Sequence, residues 1–357
     1  MPGQPNRVDL RGTLPESPSM TSGLVYSREE LLAEHPYARP LEVAGYRLHG
    51  GFDAEGRYLP PRTLHRWPAV RAWQEALRAR GFPLIEATTK LLAAGPYPSY
   101  EQQKVLLQHG LGQTLWNSLT ITGVIEARGR LLIDLAAPDF QSILVEDVSE
   151  TGTGHLNKGL LAAHGMDEGG DPRTRRGAHD EMWFAIRDLV FGKDAYPLPD
   201  VPATIARPEG ERLAPAIPVA FEQMLSLLMN VLMIEVRAEN LFVFVQRILA
   251  DPELFPDRRS AAAIGLEMVD RIRTDEAIHV AYLQLVLSEM RSFTFRAKDG
   301  SHVPGTEIID PMWATLVHWH AVENPRLARE VQREVLHQRI LAHPEGRRIL
   351  SEFERCG

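Results

Sequence analysis

Two polar side chains stand where only apolar ones are expected. Counting outward from Glu276 in helical steps of three and four gives Gly265, Met268, Ile272, Glu276, His279, Leu283, Val286 and Met290. All of these except Glu276 and His279 are apolar or glycine. A carboxylate and an imidazole therefore lie one turn apart on a core-facing stripe. A buried, unpaired charge is costly, and buried charges are normally paired or bound to a metal. Upstream, Glu235 and Glu239 lie one turn apart in a segment that is apolar almost all round from Leu225 to Ile248, with Arg237 as an interruption. Asp251-Pro252 and Phe255-Pro256-Asp257 mark a turn between the two segments. In an antiparallel hairpin about that turn, Glu235 and Glu276 face each other. A carboxylate on one helix and Glu-x-x-His on the next form half of a two-metal carboxylate site. A chance surface pair is the plainer reading of Glu276-x-x-His279 alone; the apolar stripe and the facing acidic helix favour metal.

Glu235 (or Glu239) followed by Asp275-Glu276-Ala277-Ile278-His279 resembles the ferritin-like di-iron carboxylate superfamily. The resemblance implies a second half-site upstream. Glu126 and Glu150, on either side of Pro138, are the best antiparallel pair for it. The histidine of that half would be His155, which stands at i+5 from Glu150 instead of i+3. The Gly152-Thr153-Gly154 stretch could reset the helical phase, and Glu146 is an alternative to Glu150. Gly123 and Gly129 around Glu126 would permit close backbone approach at a cost of about 1 kcal/mol each in helix stability. The plainer reading of Glu126 and Glu150 is half-exposed acids, with Glu126 paired to Arg130. Tyr282, one turn after His279, is either a redox-active or hydrogen-bonding neighbour of the metals or a packed core tyrosine. His179-Asp180-Glu181 reads as a helix cap, and of His318 and His320 only one can face inward.

The implied ligands are Glu126, Glu150, His155, Glu235 or Glu239, Glu276 and His279. Carboxylates and imidazoles in that ratio suit two Fe, or Mn in their place, and not a thiolate-seeking metal. By the same resemblance the expected activity is that of a non-haem di-iron oxidoreductase. It would activate O2 to oxidise a small or medium organic substrate and draw on an electron donor. The alternatives are a ferritin-like iron-storage or peroxide-scavenging protein and a metal-free helical interaction protein.

Bulk properties narrow the partners. The 357 residues are 44% hydrophobic and 24% charged, as in an ordinary globular chain. A net charge of −8 and a pI near 5.9 argue against nucleic acid. No apolar leader is read at the N-terminus, and the apolar run around Met224–Val236 is too short to span a bilayer. Cys356 is the single cysteine, which fits a reducing cytoplasm. A homodimer is compatible with all of this.

The elements that must position these residues follow from breaks and periodicity. The expectation is a mostly α chain: a ferritin-like four-helix bundle over 100–290, with an N-terminal α+β extension over 25–99. Residues 1–24 would be a disordered arm, and 291–357 a β-hairpin with C-terminal helices. Ser27-x-x-Glu30 has the form of a capping box. Residues 41–59 suggest a small hairpin, 63–80 a helix, and 85–94 a further helical piece. Helices are also expected over 100–134, 140–150 and 181–191, with a polar loop over 165–177 and an irregular connection over 192–218.

Overall fold

The computed structural model describes residues 23–93, 95–208 and 210–357. The arm expected over 1–24 lies almost wholly outside the described residues. The chain is mostly helical. Helix α1 (Arg28–Leu32) opens on the Ser27/Glu30 capping box. A hairpin of β1 (Leu41–Val43) and β2 (Tyr46–Leu48) follows. Its turn residues Ala44 and Gly45 have φ of 52° and 84°, the left-handed pair that a two-residue hairpin turn requires. Helix α2 (Arg66–Ala79) buries Val70, Trp73 and Leu77 on one face.

Where a helix over 85–94 was expected, only a 3₁₀ turn forms at Thr89–Leu91. The helix expected over 100–134 is two: α3 (Tyr100–Gln108) and α4 (Gln113–Gly129). Gly110, at φ 72°, turns the chain between them. The helix expected over 140–150 is a single 3₁₀ turn, Phe140–Ser142. The Gln141 side chain holds the rest as a loop, accepting from the Val148 N–H and donating to the Glu146 carbonyl. The chain then passes through a 3₁₀ turn, Thr153–His155, and a π turn, Leu156–Leu160, before α5 (Leu161–Gly169). Residues 165–169, expected as polar loop, are thus helical and buried.

Helix α6 (His179–Phe191) leads through an irregular segment to α7 (Val219–Ala250) and α8 (Arg259–Ser292). These two long helices form the expected antiparallel hairpin; α6 packs on α8, and α4 packs on α6 and α5. A short hairpin of β3 (Thr294–Arg296) and β4 (His302–Pro304) precedes α9 (Gly305–His318), α10 (Asn324–Leu341) and α11 (Gly346–Arg355). Helix α7 runs to 32 residues and by length and composition could cross a membrane, but 61% of its most apolar window is buried inside the fold. It is the core helix.

Two apolar cores meet along α7 and α8. One holds Leu232, Val236, Tyr282, Leu283 and Val286. The other holds Phe242, Val245, Met268, Val269 and Ile272. Glu235, Glu276 and His279 fall at the seam between them, in a layer too polar to join either.

Candidate metal centre

Five helices each deliver part of the buried polar layer. From α4 comes Glu126; from α5 come His164, Asp167 and Glu168; from α6 comes His179; from α7 comes Glu235; from α8 come Asp275, Glu276 and His279. Close approach of α4 and α5 depends on glycine. A Cβ at Gly129 would lie 2.6 Å from Glu168 Cβ, and one at Gly165 would lie 2.8 Å from the Ile133 nitrogen. Neither space admits a side chain.

Two sets of four ligand-type atoms form, each within 4.8 Å. One comprises His164, Glu168, Glu235 and His279; the other comprises Glu126, Glu168, His179 and Glu276. Glu168 belongs to both. Its carboxylate oxygen Oε1 lies 3.3 Å from His164 Nε2, 3.0 Å from His279 Nδ1 and 3.6 Å from His179 Nδ1. His164 Nε2 also lies 3.1 Å from Glu235. His179 Nδ1 and Glu276 Oε1 are 2.9 Å apart. Yet Glu168 Oε1, His179 Nδ1 and Glu276 Oε1 are buried without a hydrogen-bond partner. Buried polar atoms are normally satisfied. All three belong to the two ligand sets, where a cation could satisfy them.

The opposite nitrogen of each imidazole is held from behind. His179 Nε2 meets Asp275 Oδ2 at 3.0 Å, His279 Nε2 meets Asp167 Oδ2 at 3.2 Å, and His164 Nδ1 meets the Tyr282 hydroxyl at 2.8 Å. Asp275 Oδ2 also accepts from the Tyr58 hydroxyl and meets His49 Nε2, both at 3.0 Å. His49, His179 and Asp275 also form a group of metal-ligand type, but Asp275 engages the His179 nitrogen that faces away from the glutamates. Asp167 is clamped by Arg62 at 2.6 Å and Arg66 at 2.5 Å. Partners of this kind fix the tautomer and aim of a metal-binding histidine.

Electrostatics tie the layer together. Burial, and then the Glu168 charge, push the Glu126 carboxyl well above its usual range. Burial and the Glu276 charge lift Glu235 to about 8. Burial opposes ionisation of Glu168 too, but the Glu126 carboxyl and the adjacent His164 and His179 imidazoles hold it well below. Burial disfavours charged imidazoles, yet the surrounding acids raise His164 and His179 well above the ordinary value and His279 to about 10. Protons and acids share the layer where a divalent cation could take the protons' place.

Of the residues singled out from sequence, the fold brings Glu126, Glu235, Glu276 and His279 into the layer. Glu150 is exposed and stands outside it, because the helix meant to carry it does not form. His155 is buried elsewhere: Nε2 accepts from the Tyr26 N–H at 2.9 Å, Nδ1 donates to the Thr151 carbonyl at 2.7 Å, and the ring packs on Trp73. Both ring nitrogens are thereby used. Glu239 pairs with Arg273, its Oε2 accepting from Nε at 3.0 Å. Glu146 accepts from Thr294. Tyr282 touches His164 and supports it from behind. The sequence reading missed His164 and Glu168 and set His179 aside as a cap. The one local signal was His164 and Glu168 at i and i+4, following the apolar Leu160–Ala163.

Beside the layer, a cleft of about 580 Å³ opens between α7 and α8. Glu235 and Glu276 reach it; Val236, Phe242 and Val280 line its walls, and Glu239, Asp270 and Arg273 its polar part. Compared with known proteins, the chain matches no family model, no curated protein and no solved structure. Its geometry identifies buried His, Glu and Asp clusters that could hold a metal ion.

Proposed function

We propose that the chain is a non-haem di-iron oxidoreductase of the oxygenase or oxidase type. The observation that carries this reading is the charge balance of the layer. Six carboxylates converge: Glu126, Asp167, Glu168, Glu235, Asp275 and Glu276. The buried arginines Arg62 and Arg66 offset two of them. Once metal displaces the protons that the layer otherwise shares, four negative charges remain against neutral imidazoles, and two divalent cations would supply four positive ones. Glu168, common to both sets, would be the shared ligand. His164, Glu235 and His279 would complete one ion's set, and Glu126, His179 and Glu276 the other's. Oxygen and imidazole donors favour Fe(II) or Mn(II) over softer metals. When bound and reduced, such a pair supplies O2 activation.

The protein's own part is positioning. Asp167, Asp275 and Tyr282 hold the three imidazoles so that one nitrogen of each faces the glutamates. The cleft would lead an organic molecule to the Glu235 and Glu276 face, and its apolar walls would cover the molecule's apolar part. The polar residues Glu239, Asp270 and Arg273 suit a substrate with a polar end. Turnover would need electrons from an external donor.

The test uses the full chain, loaded anaerobically with ferrous iron, with metal content and O2 uptake measured alongside candidate organic substrates. Two metals per chain and substrate-dependent O2 uptake are expected. Glu168→Ala should lower both by at least about 10-fold, the scale on which even supporting residues act, whereas Glu239→Ala should retain its metal. Iron uptake followed only by mineralisation would replace this reading with storage. Failure of the wild type to bind metal would leave a metal-free helical interaction protein.

A further inference from the structure

A half-buried cation lies on another face of the core helix. Arg237 follows Glu235 by two residues on α7, about 200° further round the helix axis. Its side chain therefore points away from the carboxylate layer. It lines a separate cavity of about 200 Å³ between α7, the segment around Tyr97, and the start of α10. We propose that this cavity is a binding site for a small carboxylate with a compact apolar body.

Arg237 has no acidic partner among the described residues. Its side-chain partner among the described residues is His320, whose Nδ1 lies 3.3 Å from Nη1. That imidazole is neutral. Its Nε2 lies 3.0 Å from Asn230 Oδ1, an acceptor that also takes the Arg207 N–H, so Nε2–H donates there and Nδ1 is the free acceptor facing Arg237. Burial and the Arg237 charge hold His320 down at about 3, so it brings no charge of either sign. The guanidinium itself is lowered by burial, with no acid offsetting that effect. A half-buried cation with no counter-charge among the described residues is open to an anion.

The cavity supplies the second observation. Among the described residues, no acidic side chain lines it, while a second cation, Arg329, does. Arg329 is held over the Tyr97 ring at 5.3 Å. Asn240 adds an amide. Two guanidinium groups and an amide facing one space match a carboxylate, which arginine binds in a bidentate fork. The remaining walls, including Leu241 and Ala328, are apolar. They would cover an apolar body and would leave the outer oxygens of a phosphate unsatisfied. The volume admits a compact ring or short chain. His320 sits in a π turn, Trp319–Glu323, that joins α9 to α10; such turns are frequent at functional sites.

Benzoate is a suitable probe, with inorganic phosphate and neutral benzyl alcohol as comparators, measured by titration calorimetry on the full chain. Wild type should bind benzoate at least about 10-fold more tightly than either comparator, the scale of one charge-assisted hydrogen-bonded pair. Arg237→Gln should weaken benzoate binding by at least the same factor. Ala328→Trp, which fills the cavity and keeps Arg237, should do likewise and decides the question if Arg237→Gln fails to fold. Arg247→Gln, on a different surface groove, should bind as wild type does. Absence of benzoate binding to wild type, undiminished binding to Ala328→Trp, or phosphate binding as tightly as benzoate would overturn the proposal.

Discussion

Single residues in this chain are tuned by how many partners they find once buried. Glu289, on α8, shows the balance most simply, because it lies clear of the carboxylate layer. It is buried, and it accepts from the Gly152 N–H, the Thr153 N–H and the Thr153 hydroxyl. It thereby docks the turn that leads towards α5. Burial raises its carboxyl to about 7 from the ordinary 4.5, against the pull of those three donors. The folded state therefore holds a proton that the unfolded state releases between those values. Stability from this group is fully present below about pH 4.5 and lost as pH rises through about 7. The difference of 7 − 4.5 = 2.5 units corresponds to about 3 kcal/mol. Glu289→Gln keeps an acceptor and removes the ionisation. Denaturant unfolding at pH 5 and pH 8 should show the variant gaining on wild type by up to that amount at the higher pH. Equal gaps at both pH values would contradict the assignment.

At the scale of elements, glycine decides how closely helices approach, and two glycines make opposite forecasts. In a helix, Gly→Ala ordinarily gains up to about 1 kcal/mol. Gly265 on α8 has room: an added Cβ would lie 3.4 Å from Leu249 and 3.5 Å from Ile186, ordinary contact distances. Gly265→Ala should be neutral or stabilising. Gly129, at the end of α4, has none, since its Cβ would fall 2.6 Å from both Cβ and Cγ of Glu168. Gly129→Ala should cost about 1–3 kcal/mol by overpacking and push Glu168 out of register with its neighbours. Paired chemical denaturation curves check both forecasts, and equal effects from the two substitutions would show that α4 and α5 are less tightly apposed than described.

Across the whole molecule, the N-terminal segment is fastened to the helical core through charge. Arg62 and Arg66 reach Asp167 from a hundred residues away in sequence, while His49 and Tyr58 reach Asp275. Arg66 is itself buried. Removing one partner of a buried pair costs about 3–5 kcal/mol because it strands the other charge. Arg66→Met should therefore destabilise the fold on that scale, moderated by Arg62. The double variant Arg66→Met/Asp167→Asn should recover part of the loss, since the carboxylate that Arg66 leaves behind is removed with it and Arg62 keeps Glu34 as a partner at 3.2 Å. A double-mutant cycle by thermal or denaturant unfolding measures the coupling, and strictly additive losses would mean that the pair does not act as a unit.

The sequence alone determined the long helical hairpin and the polar interruptions within it. A 3.6-residue period carried over seven or eight turns identifies a buried face, and Glu235, Glu276 and His279 are conspicuous on that face because their neighbours are apolar. Glu126 was picked out through an expected pairing with Glu150 across Pro138, which does not form. Helix α5 was not legible. Its nine residues are buried all round, Asp167 and Glu168 included, so it has no polar face to create a period, and its acids and glycines imitate a loop. The 3₁₀ and π turns before it break the register that would have led from Glu150 to a histidine. Tertiary structure alone decided that His164, Glu168 and His179 join the layer, and that Arg62 and Arg66 offset part of its charge. Those pairings link residues about a hundred positions apart, as Arg62 with Asp167 and His279 with Asp167 do. Local periodicity says which way a side chain faces on its own helix, but nothing about what another helix brings to meet it.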